Sequence, residues 1–460
     1  MLAGPVRNRQ EKGAKDMARL FGTDGVRGIA NEALTPEIAF RLGEAAGYFF
    51  GEEGSSKIVI GKDTRTSGDM LEAAMVAGIT SAGADVLLCG IVPTPAVAYF
   101  TRMCGASGGI VISASHNPPE YNGIKFFGPD GFKLSDGMEK RIEDFVAEGG
   151  NGKRPLGDGI GRVRHVDDAT SRYVSHVMDT IDVDLEGLTV AVDCGHGAAS
   201  ITTPRALKEL GAKVIAVNCD FDGAQINVGC GSTDLTMLRE LILTHKVDIG
   251  IAHDGDADRV IAMDERGNVV DGDTLLAVCA THLHSKGALP EATVVATVMS
   301  NLGFQVAMQN QGVRVLQAKV GDRYVLEEMR ASGANLGGEQ SGHIIFLEHN
   351  STGDGLVAAL QLASVMKERT LPLSELTKVM ERYPQVLTNV RVRDTGSLAG
   401  NEAINEAVCS VESVLDGNGR VLVRASGTEP LVRIMVEAQD EDLAGRSAAS
   451  IARVVERELG

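Results

Sequence analysis

Residues 109–118 read GIVISASHNP, so an apolar, β-branched run ends in two serines, a histidine and an asparagine. Such a run suits a strand buried on both faces in a parallel sheet. Strands of that kind deliver functional groups at their carboxyl ends. Ser115 is therefore a candidate nucleophile with His116 beside it, and Pro118 stops any immediate helix. The same spacing also fits a structural turn, because small hydroxyl residues favour turns.

Residues 253–259 read HDGDADR and follow the apolar run 247–252. Asp254, Asp256 and Asp258 repel one another at this spacing unless a cation neutralises them, and carboxylate oxygens select a hard ion such as Mg²⁺. An EF-hand does not fit. Glu265 occupies the twelfth loop position, but Arg259 stands where the sixth-position glycine is required, and residues 260–263 read as a further strand. The competing reading is a solvated acidic turn.

Arg424, Ser426, Gly427 and Thr428, with Arg433 just beyond, have the composition of a phosphate cradle: guanidinium forks, hydroxyls and a glycine that lets backbone N–H groups approach an anion. A polar β-turn is the alternative. Residues 337–343 read GGEQSGH, and the alternating Glu339, Ser341 and His343 would share one side of an extended segment. There Glu339 would accept from, and Ser341 donate to, vicinal sugar hydroxyls. A structural turn has the same letters, and His343 is a candidate base only by association. In FGTDGVRG, residues 21–28, glycines free the backbone near Arg27, which faces an anion or lies on the surface. Lys125, ten residues after Ser115, completes the electrostatic environment of the serine or is exposed.

The elements that must position these groups recur along the chain. Three stretches share one layout: an apolar strand (57–60, 188–192, 293–297), a polar loop, a helical pattern, and a returning strand opened by glycine (83–87, 211–215, 312–315). Each is a βαβ-like unit, and their wide spacing implies three similar α/β domains rather than one sheet. The tail differs, with strand candidates at 386–392, 420–423 and 432–437 and a helix over 443–459, a small α+β domain. Expected boundaries are a disordered tail over 1–16, then domains at 17–168, 169–267, 268–382 and 383–460, with connecting segments at 149–161 and 372–384.

Composition narrows the class. The chain has 460 residues, 43% hydrophobic, enough for several packed cores, and its net charge of −18 disfavours a broad nucleic-acid surface while leaving room for a local cationic pocket. The 7 cysteines show no CxxC spacing, which argues against a disulfide framework or zinc site and fits a reducing cytoplasm. Residues 1–16 carry four cations but no apolar core of a secretory signal, Met17 is an alternative start, and no apolar window is long enough to span a membrane.

In combination, FGTDGVRG, GIVISASHNP with NGIKFF, DGDADR, GGEQSGH and RASGTEPLVR resemble, in order, the α-D-phosphohexomutase superfamily from Arg19 to the end. GEQSGH, the opening FGTDGVRG and AKVGDRYV at 318–325 are similar to its phosphoglucosamine mutase branch, whereas phosphomannomutase/phosphoglucomutase members usually carry GEMSGH. The resemblance implies three similar mixed α/β domains plus a C-terminal α+β domain around a central active-site cleft. It implies that Ser115 carries the phosphate, that Asp254, Asp256 and Asp258 with Ser115 hold Mg²⁺, and that Glu339 and Ser341 contact sugar hydroxyls. Arg424, Ser426, Gly427, Thr428 and Arg433 match the loop for the non-reacting phosphate, and Arg27, His116, Lys125, Arg259 and His343 surround the reacting group. The implied reaction interconverts glucosamine 6-phosphate and glucosamine 1-phosphate through a 1,6-bisphosphate, primed by glucosamine or glucose 1,6-bisphosphate, in a cytoplasmic homodimer supplying UDP-N-acetylglucosamine and cell-wall precursors. The competing functions are a mutase for mannose or glucose phosphates and a non-catalytic sugar-phosphate sensor. His253 and Ala257 depart from the usual pattern, an aromatic before DGDGDR. Alanine suits position 257 unless its backbone needs positive φ.

Overall fold

A computed structural model describes residues 20–22, 24–51, 56–150, 152–426 and 430–460. The tail expected over 1–16, and Gly427 and Thr428 of the cradle, lie outside the described residues.

Four sheets follow one another along the described chain. The first holds β1 (Val26–Ile29), β2 (Lys57–Lys62), β3 (Asp85–Ile91), β4 (Gly108–Ile112), β5 (Tyr121–Phe127) and β6 (Val163–His165), in the order β1-β5-β4-β2-β3-β6. The second holds β7 (Thr189–Asp193), β8 (Lys213–Val217), β9 (Ile249–His253), β10 (Val260–Asp264) and β11 (Val269–Val270), ordered β11-β10-β9-β7-β8. The third holds β12 (Thr293–Thr297), β13 (Arg314–Ala318), β14 (Leu336–Gly338) and β15 (Ile344–Phe346), ordered β13-β12-β14-β15. The last is antiparallel throughout: β16 (Gln385–Arg391), β17 (Gly419–Ala425) and β18 (Leu431–Ala438), with β18 central.

The first three sheets repeat one arrangement. β4 pairs in parallel with β2 and antiparallel with β5. β9 does the same between β7 and β10, and β14 between β12 and β15. The purely parallel setting expected for residues 109–112 is therefore corrected to a mixed one. The loop 113–120 is too short for the crossover that a parallel return requires, so the chain doubles back as a hairpin. The returning strands start later than the glycine-led patterns suggested, at Asp85, Lys213 and Arg314. Gly83, Gly211 and Gly312 have φ of 98°, 93° and 72°. They end the preceding helices rather than open the strands.

Side-chain alternation sets the packing. Ile58 and Ile60 share a core with Leu42, Leu71 and Met75 of helices Pro36–Phe49 and Ser67–Ser81, whereas Val59 and Val111 face Val97 and Phe100 of Thr94–Met103. Ile110, Val111 and Ile112 are buried, each stabilising the site-bearing strand by roughly 1.5–3 kcal/mol. One apolar cluster runs from Val59 through Val192 to Val294, joining the first three units, and the fourth sheet has its own, with Ile434, Ile404 and Ile451. Ile404 belongs to a helix, Glu402–Leu415, that the sequence patterns did not reveal.

Candidate active site

Each of the first three sheets ends a central strand in a hairpin loop, and those loops (113–120, 254–259, 339–343) meet at a cleft of about 650 Å³. Arg27, His116, Asp258, Arg259, Glu339, Ser341 and His343 line it, with Asp24, Gln340 and Asp322. Ser115, Lys125, Asp254 and Asp256 are buried directly behind this wall.

Ser115 sits in a left-handed backbone conformation, φ 53°. Its Oγ donates to Asp254 Oδ2 at 2.5 Å and lies 3.3 Å from His116 Nδ1. Its amide N–H donates to Ser113 Oγ at 2.9 Å, giving the other serine of the motif a positioning task. Gly255 approaches from the second unit so closely that a Cβ there would fall 2.7 Å from Ser115 O.

Asp254, Asp256 and Asp258 are buried, and one oxygen of each lies within 4.8 Å of the others. Asp254 Oδ1, Asp256 Oδ1 and Asp258 Oδ1 have no hydrogen-bond partner among the described residues. Burial first, then Asp258 and Asp256, push the Asp254 carboxyl well above the usual carboxylate range. Three orphaned carboxylate oxygens with a serine hydroxyl at the edge fit a hard divalent cation such as Mg²⁺. The competing reading, a solvated acidic turn, does not fit three carboxylates that are all buried. The turn carries one surprise: Ala257 is buried with φ 53°, the conformation in which alanine is least at ease.

Lys125 is buried against this anionic wall, its Nζ 2.8 Å from Asp256 Oδ2, 3.2 Å from Asp24 Oδ2 and 3.5 Å from Asp258 Oδ2. Burial opposes its charge, but those three carboxylates raise its pKa. Despite burial, Lys125, then His343 and Arg259, hold Asp258 well below the usual range. Arg27 Nη1 donates to Asn117 Oδ1 at 3.0 Å, and its Nη2 pairs with Asp24. Arg259 Nε lies 3.8 Å from Asp258 Oδ1.

The two histidines differ. Burial, Arg259 and Arg27 lower the pKa of His116, which favours a neutral ring. His343 shifts the other way, because Asp258, Asp322 and Glu339 outweigh its burial. Gly353 N–H donates to His343 Nε2 at 3.1 Å, which places the neutral ring's proton on Nδ1, 3.7 Å from Asp258 Oδ2. A Cβ at Gly353 would overlap the ring at 2.4 Å.

The expectation that Glu339, Ser341 and His343 share one side of an extended segment is corrected. Glu339 N–H donates to His343 O and Gly342 N–H to Glu339 O, so the segment is a tight turn with His343 inward and Ser341 outward. Glycine at 342, φ 90°, makes that reversal possible. Among the described residues, none of the fourth unit lines the cleft. Arg424 lies directly opposite Arg433 across β17 and β18, and Ser426 N–H donates to Leu431 O.

Sequence reasoning passed over several wall residues. Thr94 Oγ1 donates to Asp256 Oδ2 at 2.6 Å and its N–H to Asp256 O, so it orients the acidic turn from a helix N-terminus. Lys133 joins Asp24 to Asp322, and Gly321 N–H donates to Glu339 Oε1 at 3.0 Å. Asp24 and Asp322 both lay inside quoted motifs, where acidity beside arginine was the available signal; Thr94 and Lys133 offered none.

Known proteins bear directly on these groups. Family models described as phosphoglucomutase/phosphomannomutase match the chain in four consecutive pieces: alpha/beta/alpha domain I over residues 18–153, domain II over 171–267, domain III over 271–383 and the C-terminal domain over 387–454. A phosphoglucosamine mutase of Desulforudis audaxviator is 55% identical over 441 residues, covering 95% of this chain and 98% of that protein. One of Caldanaerobacter subterraneus subsp. tengcongensis is 52% identical over 447 residues, covering 96% of this chain and 100% of that protein. In fold, the chain is similar to a phosphoglucomutase/phosphomannomutase family protein of Burkholderia thailandensis, TM-score 0.80 at 23% identity, covering 96% of this chain and 98% of that one.

Proposed function

The chain belongs to the phosphoglucomutase/phosphomannomutase family, in its phosphoglucosamine mutase branch, and from that premise we propose how its residues interconvert glucosamine 6-phosphate and glucosamine 1-phosphate. Ser115 carries a phosphoryl group on Oγ. A sugar hydroxyl, at C1 of glucosamine 6-phosphate, attacks that phosphorus; the Ser115 Oγ–P bond breaks, the hydroxyl proton leaves, and Oγ is reprotonated. The product is glucosamine 1,6-bisphosphate. It turns end for end, Ser115 Oγ attacks the 6-phosphoryl group, and glucosamine 1-phosphate departs with the enzyme rephosphorylated. Glucosamine or glucose 1,6-bisphosphate primes the cycle, and the product feeds UDP-N-acetylglucosamine and cell-wall precursors in the cytoplasm of the cell.

Catalysis of this kind rests on positioning and charge stabilisation. His116 and His343 flank the reacting group with opposite proton preferences, and Arg27, Lys125 and Arg259 offset its negative charge. Asp254, Asp256 and Asp258, with the Ser115 oxygen, would hold Mg²⁺, which adds positive charge at the same point. Glu339 and Ser341 orient the sugar hydroxyls. Arg424, Ser426, Gly427, Thr428 and Arg433 hold the phosphate that is not reacting, and a mobile last domain lets the intermediate turn without escaping. The working divisions are domains at 17–168, 169–267, 268–382 and 383–460, in a homodimer.

The observation that carries this reading is the Ser115 hydroxyl on Asp254, in a set of three buried carboxylates that each have one oxygen without a hydrogen bond among the described residues. Intact mass of the purified protein tests it. One added phosphate is expected, absent in Ser115→Ala, with initial rates highest on glucosamine phosphates. Full turnover by Ser115→Ala would overturn the phosphoserine route, and a preference for mannose 1-phosphate would overturn the substrate.

A further inference from the structure

The Ser115 turn is gripped by a side chain outside every motif. Arg65 is 2% exposed and lies in the loop after β2. Its Nε donates to Asp63 Oδ2 at 3.0 Å, its Nη1 to Tyr121 O at 3.0 Å and to Pro118 O, and its Nη2 to Ser115 O at 3.0 Å and Asn117 O at 2.7 Å. A guanidinium has five N–H groups, and all are used. Four of the acceptors are main-chain carbonyls of one turn.

A second donor reaches the same turn from the second unit. Asn227 Nδ2 donates to Ser115 O at 2.9 Å and to Asn117 O at 3.1 Å, the two carbonyls that Arg65 Nη2 holds. Asn227 is itself tied to the second sheet's loops, its N–H donating to Gly195 O at 3.1 Å. The amide side of Ser115 is fixed as well: Ser113 Oγ, which accepts the Ser115 N–H, donates to Asp63 Oδ2 at 2.6 Å, the oxygen that Arg65 Nε also uses.

This grip has a physical purpose. A left-handed backbone at a serine costs roughly 1–2 kcal/mol, and the turn keeps it only where the surroundings over-determine it. The conformation aims Ser115 Oγ at Asp254. Lysine could not replace Arg65, because an ammonium is a point donor rather than a planar fork.

We propose that Arg65 and Asn227 are positioning residues for phosphoryl transfer, a clamp built from two domains that closes on the Ser115 and Asn117 carbonyls and sets the nucleophile against the acidic turn. The inference rests on Ser115 as the phosphoryl carrier. Neither residue touches the sugar, whose contacts are assigned to loops 339–343 and 424–433, so the clamp acts on the transfer rate and leaves substrate binding alone.

Arg65→Lys keeps a cation beside Asp63 and loses the fork; Asn227→Gly keeps the backbone, φ 61°, and loses only the amide. In the full-length, Mg²⁺-loaded enzyme, single-turnover transfer from the phosphoenzyme to glucosamine 6-phosphate is measured beside steady-state KM and kcat. Each variant is expected to lower the transfer rate and kcat by about 10- to 100-fold, the scale of an ångström of misplacement. KM should stay within about twofold of wild type. Transfer at the wild-type rate in both variants, or a raised KM with kcat preserved, overturns the clamp. So does a rate loss matched by the unfolded fraction seen by circular dichroism. If Arg65→Lys does not fold, Asn227→Gly decides alone. Failure of the underlying reading shows separately, as wild type that carries no phosphate after incubation with bisphosphate.

Discussion

Ser115 Oγ donates to Asp254 Oδ2 across 2.5 Å, so the turn that follows β4 and the turn that follows β9 form one structure although 139 positions separate them. The bond uses one oxygen of Asp254 and leaves the other without a hydrogen bond among the described residues, as is one oxygen each of Asp256 and Asp258. Lys125 offsets part of the charge gathered here, and the remainder destabilises the fold unless a further cation occupies the site.

Asp254→Asn should therefore act with opposite signs on stability and function. The wild-type carboxyl is raised above its unfolded value, so its ionisation costs stability at neutral pH, and an amide removes that cost. In chelator, Asp254→Asn should melt at or above wild type. With Mg²⁺ at about 100 times its dissociation constant, wild type should gain roughly 2.7 kcal/mol and the variant much less. Thermal melts with and without the metal decide it; a variant less stable than wild type in chelator would remove the argument from repulsion. Turnover should fall by at least about 100-fold.

Ala257 gives a second test. A left-handed alanine costs about 1 kcal/mol, and glycine relieves it while adding a similar entropy cost to folding. Ala257→Gly is expected to change stability by less than about 1 kcal/mol, with Mg²⁺ activation preserved. Ala257→Val, β-branched at the same φ, is expected to lose about 3 kcal/mol or more and to fail to form the acidic turn. Denaturant melts of both variants read the difference.

The hairpin loops were legible because each is a short polar cluster between apolar strands, the form in which 113–120, 254–259 and 339–343 appear in the chain. What lay beyond the sequence was which loops meet. Asp254 reaches Ser115, and Lys133 reaches Asp322 over 189 positions, only after three sheets have packed through one continuous core. Arg65 was invisible for a related reason: its five acceptors are main-chain and carboxylate oxygens that no side-chain pattern advertises. The antiparallel return of β5 could have been read from the eight-residue loop before it. The helix Glu402–Leu415 also carried a signal, Asn401 at its N-cap with Ile404, Val408, Val411 and Leu415 on one face. Ala257 shows the opposite limit, since a positive φ on a non-glycine residue becomes visible only in coordinates.

Asp273 couples stability to pH. It is fully buried, accepts the Asn301 N–H at 2.8 Å, and burial, then Asp271 and Glu437, push its carboxyl up to about 7 despite that hydrogen bond. A folded-state pKa above the unfolded value means the folded state holds the proton more tightly. The stability it contributes is complete below about pH 4 and is lost as pH rises through about 7. Asp273→Asn imitates the protonated form. It should match wild type at pH 4 and exceed it at pH 8 by about 2–4 kcal/mol. Urea melts at the two pH values check this, and an equal gain at both would assign the effect to packing instead.

Lys133 bridges the first and third units, pairing with Asp24 on one side and Asp322 on the other. Burial opposes its charge, but the two carboxylates raise its pKa, and it in turn helps to lower theirs. Arg323, next along, adds Asp136 at 2.5 Å and Leu134 O from the first unit. The bridge thus fixes the Ser115 turn relative to Glu339, whose Oε1 rests on the Gly321 N–H. Lys133→Met takes from Asp322 its lysine partner and leaves Asp24 to Lys125 and Arg27, so that two carboxylates lose the cation between them, a loss of about 3–5 kcal/mol. Asp322→Asn in the same chain removes the repulsion between the two carboxylates and should restore at least about 1 kcal/mol, so the pair is non-additive in a double-mutant cycle. Stability can return in this way without the bridge. KM for the sugar phosphate should therefore be raised in the single and the double variant alike, and bisphosphate should escape into solution during turnover, because the cleft has lost one of the ties that set its width. A double variant with wild-type KM and no released bisphosphate would show that Lys133 serves folding alone.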